Sequence, residues 1–225
     1  MSLCVFIGEG KSEVIFFKYL LLKFSFLPET SKQPILYRRE QPERYWLLAH
    51  PRLVGHTIGG KHLLEGKTTY QACIAKVENH LKRLPQNIPV HYRILRDSDS
   101  PLSSEKETRI RDRISVAATP HLAFQAGSLE VCFCNHEIEA WFLANLEDQS
   151  EYVLPTKHEE LRRLLLLNPD EIVNPKEVLN SILLPEYQDN VTDTARLFGE
   201  TFVVERVIEK SESFKRFYRS IEELI

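Results

Sequence analysis

A chain of 225 residues that is 43% hydrophobic can bury one core of ordinary domain size, and its 27% charged and 10% aromatic residues exclude a disordered or low-complexity chain. The formal net charge of −3 argues against a general polyanion binder, but the charge is divided. Residues 1–125 hold 19 Lys and Arg against 12 Asp and Glu (+7), and residues 126–225 hold 10 against 20 (−10).

In chain order, Val5–Gly8 is expected to be a short buried strand. Ser12–Phe24 is expected to be a helix, with Ser12 as N-cap and Glu13 favourable at the positive end. Residues 28–65 are broken by Pro28, Pro34, Pro42 and Pro51, with short strands expected at Ile35–Arg38 and Leu53–Thr57. Cys73, Ile74, Val77, Leu81 and Leu84 recur at helical period over Thr68–Leu84. Val90–Leu95 is the second clear strand, ended by Asp97-Ser98-Asp99-Ser100-Pro101. A polar helix over Ser104–Ala118, a third strand over Leu129–Cys134 and a helix over Glu137–Leu146 follow. Strands alternating with helices indicate an α/β fold with a mainly parallel central sheet flanked by helices.

Beyond about residue 150 the pattern is helical: Glu159–Leu167, Lys176–Leu184, Thr192–Phe198, Thr201–Lys210 and Ser213–Leu224. The expected organisation is an α/β domain over 1–148 and a helical C-terminal extension over 149–225 packed on it. The apolar stretch Ile15–Leu27 is interrupted by Lys18 and Lys23, so it is no membrane span, and too few apolar residues precede Glu9 for a signal-peptide core. Cys4, Cys132 and Cys134 look like buried strand positions, reduced in the expected cytoplasmic setting.

Gly10-Lys11-Ser12 resembles the end of a phosphate-binding loop, but the required first glycine would fall on Val5, inside the strand. Gly60 to Thr68 carries five spacers where four are needed. Neither is a P-loop, and Lys11 is left as a solvent or DNA-backbone contact. The carboxylates are more telling. Glu9, the Asp97/Asp99 pair and Glu137/Glu139 fall at the C-terminal ends of the three strands, where parallel sheets open their ligand crevice. Asp-x-Asp lets alternate side chains of an extended segment reach one hard cation. Glu9 would add an oxygen ligand or carry a proton, and Glu137 would turn back toward the same edge. The plainer readings are turn and cap chemistry for the aspartates and Glu9, and a surface position for Glu139. His136 would contact a phosphate or cap the following helix, and Trp141 belongs to the core.

Glu-Gly-x-x-Glu after a first strand, Asp-x-Asp after a later one and an acidic group beyond resemble the Toprim domain of topoisomerases, bacterial primases and overcoming-lysogenization-defect nucleases. More closely, Gly8 to Glu13, Gly60 to Leu64, Arg96-Asp97-Ser98-Asp99 and Glu137-Ile138-Glu139-Ala140-Trp141-Phe142-Leu143 are similar to an uncharacterised bacterial Toprim-like family. Its members often end in a helical segment like Ser213-Phe214-Lys215-Arg216-Phe217. The resemblance implies that Glu9 is a general acid/base or metal ligand, that Asp97 and Asp99 hold Mg²⁺ (or Mn²⁺), and that Glu137 or Glu139 supplies the later acidic motif. It implies a metal-dependent nuclease in defence against phages or mobile elements, with any ATPase partner on a separate chain.

The expected partner is nucleic acid, DNA ahead of RNA, and a homo-oligomer stays open. Water is the expected attacker, and Arg96, Lys11 and the helix bearing Arg109, Arg111 and Arg113 would clamp neighbouring phosphates. The charge division places positive potential on the cleft face and the acidic C-terminal helices away from it. A non-catalytic binding subunit of an ATPase-containing complex is the alternative. It predicts no cleavage with any metal.

Overall fold

The structure, a computed structural model, describes residues 2–28, 35–39, 44–49, 77, 89–98, 103–118, 126–148 and 150–225. The expected strand Leu53–Thr57, the Gly60–Leu64 motif, most of the helix Thr68–Leu84 and Asp99 lie outside the described residues.

Six strands, β1 (Ser2–Gly8), β2 (Leu27–Pro28), β3 (Ile35–Arg39), β4 (Arg44–Ala49), β5 (Val90–Ser98) and β6 (Ala126–Asn135), form one sheet in the order β2-β3-β4-β1-β5-β6. The four strands β4, β1, β5 and β6 are mutually parallel, and β3 and β2 continue antiparallel at one edge. Leu3, Cys4, Val5, Phe6 and Ile7 of β1 are all buried, as a central parallel strand covered on both faces requires. Chain order reverses at β1 and β5: β1 leads toward β4 on one side, and β5 leads to β6 on the other. The crevice outside the carboxyl ends of two such strands is where open α/β sheets bind ligands.

Helix α1 (Lys11–Lys23) buries Phe16, Phe17, Leu20 and Leu21 on one side. Phe6 of β1 stacks on Phe17 with centroids 4.1 Å apart and meets Phe217 of the C-terminal helix at 6.2 Å. Helix α2 (Ser104–Ala118) packs on β6. Its Arg111 donates from Nε to the Val131 carbonyl at 2.9 Å and lies over the Phe133 ring. The neighbouring residue Cys132 faces the other way, its thiol donating to Ser220 Oγ at 3.4 Å. Helices therefore cover both faces of the sheet.

After α3 (Glu139–Asn145) come two 3₁₀ turns and helices α4 (His158–Leu164), α5 (Pro175–Ile182), α6 (Val191–Thr201), α7 (Val204–Lys210) and α8 (Glu212–Glu222). They share one hydrophobic core with β1, α1 and α3. Trp141 stacks on Phe217 at 5.3 Å, and Phe142 stacks on Phe198 at 4.8 Å. A buried carboxylate bolts this assembly together. Asp170 accepts from the hydroxyls of Ser211 at 2.8 Å and Ser213 at 2.6 Å and from the Ser213 N–H at 2.8 Å. Ser213 Oγ in turn accepts from Trp141 Nε1 at 2.8 Å. Every partner is satisfied, which is what makes a buried polar network tolerable. Through Trp141 it fixes α3, whose first residue is Glu139.

The structure differs from the sequence reading at several points. β4 is a strand that the flanking Pro42 and Pro51 hide: its Tyr45-Trp46-Leu47-Leu48 run lies between the two breakers. β5 continues past Leu95 to Ser98, so Asp97 is a strand residue paired with Cys134 rather than part of the turn. The cap of α1 is Gly10, not Ser12, and Glu13 accepts from the Gly10 N–H at 2.8 Å. His136 is not a cap. It occupies a left-handed bend (φ 62°) and donates its N–H to Ser98 Oγ at 3.3 Å, while Ile138 precedes α3. The acidic C-terminal half does not lie wholly apart from the cleft, because the first turns of α5 and α6 touch its rim.

Helices α1 and α6 approach so closely that a Cβ on Gly199 would lie 2.6 Å from the Cβ of Tyr19. Gly199→Ala must push the helices apart, and urea denaturation is expected to show a loss of about 1–3 kcal/mol. An unchanged midpoint would mean the interface yields freely.

Candidate functional site

Three neighbouring strand ends build the site. β1 ends at Gly8, and a Cβ there would lie 2.8 Å from the Cβ of Glu13, so only glycine lets α1 start this close to the sheet. Glu9 follows and turns toward β5: its Oε2 accepts from the Asp97 N–H at 3.2 Å and stands 3.8 Å from Arg96 Nε. Asp97 lies on the same face as Cys134, against the start of α1. β6 then ends in the His136 bend, which brings Glu137 and Glu139 back to this edge. Glu137 Oε2 accepts from the Lys176 N–H of α5 at 3.3 Å.

The electrostatics show how tightly these groups crowd. Burial first, then the carboxylates of Glu13, Glu9, Glu139 and Glu137, push the Asp97 carboxyl well above the usual carboxylate range. Burial, Glu137 and Glu13 push Glu139 up to about 7, against the opposing charge of Lys176. Asp97 Oδ1 is buried and has no hydrogen-bond partner. An ionised oxygen in that position is costly unless a proton or a cation neutralises it.

Of the sequence-predicted residues, Glu9, Asp97, Glu137 and Glu139 come together at one edge, and Asp99 lies outside the described residues. Arg96 is at the site, buried and paired with Glu9. Lys11 is exposed at its rim and donates to Thr192 Oγ1 of α6 at 2.8 Å. Arg111 is occupied elsewhere, clamping α2 to Val131, which is aligned with Ile94, three residues or roughly 10 Å before Asp97 along the sheet. Its neighbour Arg109 is exposed and pairs with Glu105 at 4.0 Å, and Arg113 is exposed on the same helix. None of these three contacts the carboxylates.

The residue the sequence reading undervalued is Glu13. It is buried, and after burial itself it acts more strongly on Asp97 than any other carboxylate does. Its signal was visible as the second glutamate of Glu9-Gly10-Lys11-Ser12-Glu13, in the first turn of the helix that follows the strand end.

Donor chemistry and charge at this edge suit a hard divalent cation: carboxylate oxygens crowd together, one of them buried and unbonded. Among the described residues, however, no group of three or more His, Cys, Asp or Glu side chains is already arranged to hold a metal ion. Burial keeps the Cys134 thiol strongly protonated and pushes Cys132 up to about 11, so the Cys-x-Cys pair belongs to the core. Compared with known proteins, the chain matches no family model, no curated protein and no solved structure. No helix among the described residues is long and apolar enough to cross a membrane.

A carboxyl with a higher pKa folded than unfolded binds its proton more tightly when folded. The stability linked to Glu139 is therefore greatest below its ordinary value of 4.5 and is lost as pH rises through about 7. Asp97 shifts in the same direction. With EDTA present, the melting temperature is expected to fall from pH 5 to pH 8. At pH 8, Asp97→Asn is expected to raise it by roughly 3–6 °C, about 1–2 kcal/mol, by relieving repulsion. A pH-independent melting temperature would show that the carboxylates do not repel as described.

Proposed function

We propose that this chain is a divalent-metal-dependent phosphodiesterase acting on nucleic acid, as its resemblance to Toprim nucleases implies. The observation that carries the reading is Asp97 Oδ1, buried and without a hydrogen-bond partner among the carboxylates of Glu9, Glu13, Glu137 and Glu139. That arrangement, at the carboxyl ends of β1, β5 and β6 where chain order reverses, supports a cation-binding catalytic centre over a structural role.

Asp97, with Glu9 after β1 and Glu13 in the first turn of α1, would hold Mg²⁺ or Mn²⁺, and Glu137 and Glu139 would complete the oxygen set on the β6 side. The resemblance makes Asp99, which lies outside the described residues, a further ligand. A bound ion supplies charge neutralisation at the scissile phosphate and lowers the pKa of attacking water. The chain's own residues do the rest. Glu9 is held in one orientation by the Asp97 N–H and Arg96, which suits it to take the proton from water as the new P–O bond forms. The ester P–O bond breaks on the opposite side, and the leaving oxygen takes up a proton from solvent or a neighbouring carboxyl. Arg96, buried against Glu9, holds that carboxylate in place. Service in phage or mobile-element defence, and an ATPase partner on another chain, rest on the resemblance alone.

One observation favours a second reading. No ready-made three-ligand group is present among the described residues, which suits a non-catalytic Toprim-like subunit that binds nucleic acid or a protein partner. Purified protein incubated with duplex DNA, single-stranded DNA and RNA in Mg²⁺ or Mn²⁺ separates the two. Cleavage is expected, with losses of a hundredfold or more in Asp97→Asn and Asp99→Ala, and with slowed cleavage at saturating metal in Glu9→Gln, whose metal affinity falls less. Absence of cleavage in every metal, with binding intact, would establish the binding subunit instead. Cleavage that persists in Asp97→Asn would place the chemistry elsewhere.

A further inference from the structure

A carboxylate centre that acts on a polyanion must draw the phosphate backbone in against its own charge, so basic groups are needed at its rim. Arg96 is buried and committed to Glu9, and Arg111 is committed to α2 and β6. Within the helix expected from sequence to clamp phosphates, Arg111 is thus tied to a strand carbonyl and Arg109 is paired with Glu105. Two exposed lysines do border it. Lys11 opens α1 two residues after Glu9, at the β1 end. Lys176 lies in the first turn of α5, where its backbone N–H holds Glu137, at the β6 end. Among the described residues the Lys176 ammonium has no ion-pair partner, although its charge reaches Glu139. The two lysines therefore flank β5 and Asp97, one strand to either side, with neighbouring strands about 4.8 Å apart.

We propose that Lys176 is a phosphate-contacting residue of this site, gripping the nucleic-acid backbone on the β6 flank opposite Lys11. The inference rests on the phosphodiesterase reading of the carboxylates and goes beyond it, because it makes the C-terminal helices part of the substrate-binding surface. It also gives a reason for the Glu137–Lys176 hydrogen bond. One short helical turn orients a carboxylate through its backbone and presents a cation through its side chain. Lys176→Gln removes the cation and leaves that N–H in place, so substrate binding and the carboxylate geometry separate in one variant.

Binding of labelled duplex DNA, single-stranded DNA and single-stranded RNA to the full chain, with Ca²⁺ replacing Mg²⁺, tests this over a range of salt concentrations. For duplex DNA, Lys176→Gln is expected to weaken binding roughly fivefold to tenfold at about 0.1 M salt. The slope of log K against log salt should become shallower by about 0.9, the loss of one phosphate contact. Lys176→Arg is expected to restore both, and Mg²⁺ should still produce a thermal shift in all three proteins. A Lys176→Gln protein with wild-type affinity and slope overturns the assignment while leaving the phosphodiesterase reading intact. A wild type that binds none of the three nucleic acids overturns that reading, and this inference with it.

Discussion

The position of Asp97 inside a strand, not after it, is the constraint on which the site depends. Because β5 runs on to Ser98, the Asp97 backbone pairs with β6 and its N–H is left to hold Glu9, while its carboxyl is turned against the first turn of α1. A turn residue could swing away from like charges. A strand residue cannot, so it meets Glu9, Glu13, Glu137 and Glu139 together and one of its oxygens is left without a partner. Such crowding disfavours the folded chain at neutral pH, and it persists because the surroundings overdetermine it. Gly8 admits α1 to the sheet edge, Asp170 locks α3 through Trp141, and the edge-to-face contact of Phe6 with Phe217 holds the layers together.

Much of this was legible in the sequence. The strands at β1, β5 and β6 announce themselves as apolar runs, and acidic residues follow each one, so the convergence of Glu9, Asp97, Glu137 and Glu139 follows from the rule for parallel sheets. The apolar period of the C-terminal segment marked its helices, and Trp141 proved to be core. Less legible were features that only tertiary packing decides. β4 hides between two prolines, and the extra length of β5 comes from pairing with β6 rather than from the propensity of Arg96-Asp97-Ser98. In the basic helix, too, packing decides what the charges do. Arg109, Arg111 and Arg113 form a charged run, yet one of them is spent pinning α2 to a strand carbonyl and none contacts the carboxylates.

The C-terminal helices are accordingly more than a covering layer. They supply the buried partner of Trp141, receive Lys11 through Thr192, and hold Glu137 through the N-terminus of α5. An acidic half that looked from its charge as if it should stay away from a polyanion thus contributes hydrogen bonds to the rim of the proposed centre. Its net negative charge is spread over exposed helix surfaces rich in local ion pairs such as those of Glu159 with Arg162 and Arg163. Such pairs contribute little to stability and leave the cleft to be governed by the few groups that line it.

Either a proton or a cation must satisfy Asp97 Oδ1, and the two choices are distinguishable directly. A crystal structure of the protein grown with Mn²⁺ near pH 8, read by the anomalous signal of the metal, locates the ion without reference to activity. The account expects an Mn²⁺ peak within ~2.0–2.6 Å of Asp97 Oδ1, with at least one oxygen from Glu9 or Glu13 in the same shell. A map with no metal at this edge, and with Asp97 instead donating a proton to a neighbouring carboxylate, would contradict it.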